Sequence, residues 1–596
     1  MTSNPSRWFD TVREMTETLV SIPSVSPSAE GENRCAEKIR EMLAVDSLVP
    51  TFWETNDGRK NVVCLLKSDN PNNTGRTIVL MSHFDTVGVE DFARFGDSNI
   101  ACQPDELAKV MRSTLEQKDL LTESEESALT ALQSGEWMFG RGTVDMKSGI
   151  AVNMAVMREF ARKRENGKRL IDELAGNLLF LSCPDEETES AGILSAVPEL
   201  LKLREQENLN YIGVINTDYT APRNADESQR YIYSGSVGKL LPSFYILGVR
   251  THVGEVFRGV DASHVAAELV SRINLNPEWI DTAQSSLGGE KITEVAPPPV
   301  ALHMRDLKSS YNVETAGEAF VYVNWLTLSM TPERAMQKMK ETAFASLEAV
   351  RKNQAESFSQ FSQQGGQARS PLDWQAEVLD YADLHTKAKS RWDAENTGGD
   401  FSEWLKTKTK ELSASTQDGR ELSRMIVAEL AKMARIGGPA VIAFFSPPYY
   451  PSVLPRENEI TRAMSAALAR QADDAALSRC AELVEAVSKG RIQRRGFYPY
   501  ISDLSYLQLD SEIEIESLAK NMPLFGLKDS AGNLFCSLDE EKLEEIRALN
   551  CAVVNIGPFG SDAHGLYERV YMPYSFEVVP ELIFQTVANC FKIGEA

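Results

Sequence analysis

Three consecutive carboxylates, Asp185-Glu186-Glu187, follow Pro184 at the end of the apolar run Leu178-Leu179-Phe180-Leu181-Ser182-Cys183. Such a run reads as a buried strand, which puts the acids at its mouth, where they repel one another. A bound cation offsets that repulsion directly. Adjacent residues project in different directions, so Glu186 and Glu187 can divide the work, one holding a metal and the other handling a proton. The plain alternative is a solvated acidic loop that caps the next helix. Histidine is scarce, six in 596 residues, so an imidazole beside an acid at a strand end carries extra weight.

Four more residues of this kind stand in similar places. The strand-like Thr77–Met81 runs into Ser82-His83-Phe84-Asp85; an aspartate two residues past a ligating histidine can take its second ring N–H and fix the tautomer. The turn Gly140-Arg141-Gly142-Thr143-Val144-Asp145 precedes a helical stretch, Ile150–Phe160, near whose start a carboxylate is favoured in any case. Ile212–Asn216 is followed by Asp218, and Ala552–Ile556 by Gly557 to His564. Each nominee is weak alone. Together, His83, Asp145, Glu187, Asp218 and His564 are two imidazoles and three carboxylates, a ligand set suited to a pair of divalent ions.

The elements that must position them read as α/β. Short apolar strands deliver residues at their carboxyl ends, where open α/β sheets gather function. Helices are expected at Trp8–Ile22, with Trp8, Val12, Met15 and Leu19 on one face, and at Glu32–Leu43, and a strand at Asn61–Leu66. Asp91–Gly135 is polar and acidic and reads as a solvated insertion. The middle has a different texture: strand Ser243–Val249, helix Asp261–Ile273, strand Phe320–Leu326 with a further strand before it, helix Pro332–Val350, and strand Val441–Phe445. That order predicts a ferredoxin-like α+β lid inserted into the larger domain. The expected plan is a catalytic domain over 1–239 and 452–596, and a lid or dimerisation domain over 240–451 with an extra helical insertion at 353–435.

Bulk properties narrow the partners. The chain is too long for one core. A net charge of -24 and a pI near 4.9 speak against nucleic-acid and anionic-membrane partners, since phosphate binding needs a basic surface. No apolar run is long enough to span a bilayer, and Met1–Glu14 shows no secretory pattern. Eight scattered cysteines fit reduced thiols and a cytoplasmic location. His264, His303 and His385 have no acids at ligand spacing and read as structural or surface residues.

The ordered set H-x-D, G-R-G-x-x-D-M-K, D-E-E, Asp218 and G-x-D-A-H-x-x-x-E, ending at Glu568, resembles the dinuclear zinc peptidase and amidohydrolase family of aminoacylase, acetylornithine deacetylase, succinyl-diaminopimelate desuccinylase and carboxypeptidase G. The phrases Pro499-Tyr500-Ile501-Ser502-Asp503 and Asn324-Trp325-Leu326-Thr327 resemble those of a member linked to arginine utilisation. The resemblance implies two divalent ions, zinc first, with manganese or cobalt as alternatives. Asp145 would bridge them, Glu187 and His564 would complete one site, and His83 and Asp218 the other. Asp85 would orient His83, and Glu186 would be the general base. His252 resembles the lid histidine that reaches the other subunit's site in family dimers, which implies a homodimer; the 353–435 segment could instead cover that surface. Asn312 resembles a substrate-binding asparagine. The family's lid arginine is replaced by Leu326, which leaves the grip on a substrate carboxylate open. The implied activity is hydrolysis of an amide bond in a small amino-acid derivative, arginine- or ornithine-related. The alternatives are a dipeptidase or aminopeptidase of the same family, and a non-catalytic binding or regulatory protein on the same fold.

Overall fold

The structure is a computed structural model, and it describes residues 8–223, 229–287, 290–395, 399–473, 492–510, 513, 515–529, 532 and 534–593. Its architecture is α/β, built on two mixed sheets. The larger has eight strands, in the order Thr51–Glu54, Lys60–Leu66, Asn177–Cys183, Arg76–His83, Asn210–Asn216, Val553–Asn555, Arg230–Tyr233 and Ile492–Arg495. The four central strands from Asn177–Cys183 to Val553–Asn555 run parallel. Their carboxyl ends therefore lie along one edge.

The apolar runs form strands because both faces are covered. Alternate side chains of a strand point to opposite faces. Leu179, Leu181 and Cys183 enter one core with Val79 and Met81. Leu178 and Phe180 enter the other with Ile78 and Leu80. Helix Ala191–Gln206 packs on the first face through Ile193, Val197 and Leu200. Helices Phe9–Val20, Ser148–Ala161 and Val579–Ile593 cover the second. The expected spacing of Val12, Met15 and Leu19 is the buried face of the first helix.

The second sheet has the β-α-β-β-α-β order expected of a ferredoxin-like lid: Pro242–Leu247, helix Ala262–Ile273, Val300–Asp306, Glu318–Thr327, helix Pro332–Gln363, and Ala440–Phe445. The strand before Phe320 is Val300–Asp306, at one sheet edge. Helix Pro332–Gln363 starts with the Thr331 side chain capping Arg334 N–H and Pro332 in the first turn. It runs 13 residues past Val350, so position 353 lies inside it. Beyond it, Glu377–Asp380 adds a parallel strand at the other edge. Helix Gly419–Ala434 then faces the sheet side that carries His303, Phe320 and Tyr322, leaving an open cavity of about 430 Å³ between them.

One expectation is corrected. The 91–135 stretch is more than a solvated insertion, because it has its own core of Phe92, Ile100, Leu107, Met111, Leu115 and Ala128, closed by Phe139. Its acids lie on its outer face apart from Glu125, which is buried. The seven cysteines among the described residues are buried free thiols. Among the described residues no helix is long and apolar enough to cross a membrane.

Candidate metal centre

The carboxyl edge of the large sheet supplies the site. His83 is the last residue of its strand, and its Nε2 lies 3.1 Å from Asp145 Oδ1. The other Asp145 oxygen, Oδ2, is 3.1 Å from His564 Nε2, which is also 2.9 Å from Glu187 Oε1. Asp145 thus offers one oxygen to each imidazole. Ligand-type atoms of His83, Asp145 and Glu187 all fall within 4.8 Å of one another. Glu186 Oε2 stands 3.9 Å from His83 Nε2. Asp218 is buried beside them, close enough that the charges of Asp145 and His83 act on it.

Local structure explains the convergence. Phe139 ends a short strand, Trp137–Phe139, that pairs with Arg569–Tyr571, which in turn pairs with Gly560–Ser561. This small sheet brings the turn leading to Asp145 alongside the hairpin whose tip carries His564. Gly142 sits at φ +78°, where a Cβ would also press on Thr86 and Lys147. At Gly557 a Cβ would lie 1.6 Å from the Asp218 carbonyl oxygen, so only glycine lets the two strand-end loops touch. The Asn555 side chain ties them, accepting the Asp218 N–H at 3.1 Å and donating to its carbonyl at 2.8 Å.

Asp85 does more than lie near His83. Its Oδ1 is 3.5 Å from His83 Nδ1, and its two oxygens accept the N–H groups of Glu186 and Glu187, each at 3.0 Å. The preceding Asp185 has φ +69°. Its carboxylate takes the Arg59 guanidinium, Ser26 Oγ and the Ala191 N–H. Arg59 is itself buried with Glu32, 3.3 Å away. The acidic turn is therefore held from below by one aspartate and one arginine. Opposite, Glu568 is buried against Arg141, and Arg141 Nη2 also donates to the His564 carbonyl at 3.1 Å.

The electrostatics are those of a site built for more positive charge than the side chains provide. Burial raises Glu187 to about 7, with Asp145 adding to the rise and the His564 bond opposing it. Burial and Asp145 likewise raise Asp218 to about 7. Burial pushes Glu186 well above the usual carboxylate range against the pull of His83. For Asp145, burial is outweighed by the bonds to both histidines, and it falls below the usual range. His564 is raised to about 10 by its bonds to Asp145 and Glu187. Protons on the imidazoles thus do what bound cations would do. His83 Nδ1 is turned to Asp85, which leaves Nε2 facing the carboxylates. Three converging carboxylates and two imidazoles are a donor set that fits a pair of divalent ions.

His252 and Asn312 are not part of this cluster. They lie together on the exposed lid surface, where Gly254 N–H donates to His252 Nδ1 at 3.1 Å and Asn312 Nδ2 donates to Glu314 at 3.1 Å. His252 and Glu314 share a bridge. Sequence reasoning assigned no role to Asp503, which is buried in reach of the charges on His83 and Asp85, with its ionisation raised by burial to about 8. The strand before it, Ile492–Arg495, is polar and has no apolar run to flag it. Arg59 and Asn555 were missed as well, because neither residue type at its position carries a motif.

A sheet whose parallel strands end in acids and imidazoles, with a ferredoxin-like lid inserted, defines a metallopeptidase-type hydrolase. The family model described as peptidase family M20/M25/M40 matches residues 119–513, and the chain belongs to this family. It is 32% identical over 550 residues to YqjN of Bacillus subtilis (strain 168), covering 92% of this chain and 89% of that one. It is 30% identical to RocB of the same strain, covering 98% and 95%. Among solved structures it is similar to the aminopeptidase PepT from Bacillus cereus ATCC 10987, with 12% identity, 98% of each chain covered and a TM-score of 0.46.

Proposed function

We propose that the protein hydrolyses an amide bond in a small amino-acid derivative or dipeptide, with arginine- and ornithine-related compounds as the first substrates to test. The observation that carries the reading is Asp145, which shares its two oxygens between His83 and His564 beside the adjacent pair Glu186 and Glu187. Glu187 and His564 would hold one ion, His83 and Asp218 the other, with Asp145 common to both. Two such ions, zinc or else manganese or cobalt, would supply a Lewis acid and would lower the pKa of a bound water toward ~7. Glu186 takes a proton from the attacking water and returns it to the leaving nitrogen. Asp85 keeps both glutamates in place through their N–H groups.

A homodimer completes the reading. The lid's edge strand exposes Val300, Leu302 and Met304 at 41%, 56% and 45%, an apolar edge that unpaired strands rarely leave bare. Pairing there would carry the His252 loop toward the partner's cleft, where an imidazole can steady oxyanion charge. We place the protein in the cytoplasm, in keeping with its unpaired thiols.

The test is metal analysis and turnover of wild type and Glu186→Gln against N-acyl, N-carbamoyl and dipeptide derivatives of arginine and ornithine. Glu186→Gln should keep its metal and lose turnover by about 10²-fold or more. If metal content fell while activity survived, the glutamate roles are reversed. If wild type bound no divalent ion, the reading fails.

A further inference from the structure

The segment from Glu90 to Ser134 is joined to both loops that deliver the central side chains. Leu566 and Tyr567, which flank His564, pack on its core, and Phe139, which leads into the glycine turn before Asp145, is part of that core. On the His564 side, Tyr567 Oη donates to Glu125 Oε1 at 3.2 Å. Lys118 Nζ donates to the same oxygen, and the Thr122 N–H to the other. Buried Arg569, at the base of the hairpin, donates Nη2 to Ser127 Oγ at 2.8 Å. Its Nη1 reaches Asp562 and the Tyr567 carbonyl. Between those contacts, Asp562 and His564 both hold positive φ, 57° and 64°. Non-glycine residues keep that conformation only when their surroundings over-determine it.

On the Asp145 side, the Arg141 N–H donates to the Ala101 carbonyl at 3.0 Å. The Arg141 guanidinium lies 5.4 Å over the Phe92 ring and donates Nε to the Gly88 carbonyl at 3.1 Å. Its remaining nitrogens reach Glu568 and the His564 carbonyl. The two ligand-bearing loops therefore share one anchor block.

We propose that the Glu90–Ser134 block is a positioning element for the metal centre: through Ser127–Arg569 and Glu125–Tyr567 it fixes the His564 hairpin against the Asp145 turn. This rests on the metal-binding reading above. None of these four residues touches a candidate ligand atom, so they are positioning residues. Their loss should loosen the Glu187–His564 ion and spare the His83–Asp218 ion.

The experiment is a stepwise titration of chelator-stripped protein with Mn²⁺ and with Zn²⁺, using the full chain carrying Ser127→Ala together with Tyr567→Phe. Both changes remove a hydroxyl and keep the packing. One binding step should weaken about 10–100-fold, as supporting partners of metal ligands typically require. The other step and the melting temperature of the stripped protein should stay at wild-type values. Arg569→Lys, which keeps a donor, should lose less than Arg569→Met. Arg112→Ala, which breaks an exposed pair with Glu116 in the same block, should change neither step. Two wild-type steps with the double variant unchanged would overturn the positioning role alone. Equal weakening of both steps with a lowered melting temperature would also overturn it, assigning the bonds to general folding. A wild-type protein that takes up no metal would overturn both this inference and the functional reading.

Discussion

Stripping the metal should make the protein lose stability as pH rises, and Glu187 sets much of the size. Its ordinary value of 4.5 is raised to about 7 in the fold. A raised folded value means that the fold binds the proton more tightly than the unfolded chain does. The stabilisation is therefore fully present below pH ~4.5 and is lost as pH rises through about 7. At about 1.4 kcal/mol per tenfold change in proton affinity, Glu187 accounts for about 3 kcal/mol. Asp218, raised from 3.8 to about 7, accounts for a similar amount. Both respond to Asp145, so the two do not add in full, and the joint effect is a few kcal/mol. His564, raised from 6.5 to about 10, extends the loss above neutrality. Bound divalent ions replace these protons, so the loaded protein should escape the decline. The assay is the apparent melting temperature from about pH 5 to about pH 8.5, for chelated and metal-loaded wild type and Glu187→Gln. Chelated wild type should melt progressively lower across that range. The glutamine variant, which has no proton to lose there, should show a shallower slope. A flat or rising profile in chelated wild type, or an unchanged slope in the variant, would refute the reasoning.

Two further outcomes follow from the geometry. Asp85→Asn keeps one acceptor of the two that hold the Glu186 and Glu187 N–H groups, and it removes the charge facing His83; metal affinity should fall about 10–100-fold, measured by chelator competition, while far-UV circular dichroism stays unchanged. Mixing inactive Glu186→Ala chains with inactive His252→Ala chains should restore part of the activity, because one hybrid site keeps both residues; light scattering that shows an active monomer would remove the shared site and leave the metal centre standing.

The site's residue types were legible because each sits where a simple pattern points. His83, Asp218 and the Glu186-Glu187 pair follow apolar runs whose length and bounds mark strands, and the carboxyl end of a parallel strand is a predictable place. Asp145 was legible through its glycines. The supporting side chains were not legible. Arg59 and Asn555 act across 126 and 337 residues of chain, and no periodicity links such pairs. Asp503 follows the edge strand Ile492–Arg495, which is too polar for an apolar run to mark it. The lid's β-α-β-β-α-β order followed from alternation and helical spacing, but the end of its second helix did not. Past Val350 the helix continues into Gln- and Ser-rich sequence whose composition looks like a loop; distant contacts hold it, with Gln354 donating to the Phe257 and Gly259 carbonyls and Phe358 and Phe361 packing on Phe257.

The Glu90–Ser134 block shows why charge content misleads about role. Its helix Glu123–Ser134 opens with three acids in the first turn, which reads as a solvated face. One of them, Glu125, is buried and receives Thr122 N–H, Lys118 and Tyr567 together. An acid at that position caps the helix whether or not it binds anything else, so the local pattern is the same for a surface helix and for one that anchors a catalytic loop. What separates the two is the tyrosine 442 residues away. That tyrosine lies three positions past His564, on a hairpin whose partner strand leads straight to the Asp145 turn. The placement of one candidate ligand thus depends on a helix that carries no ligand, and the dependence exists only in three dimensions.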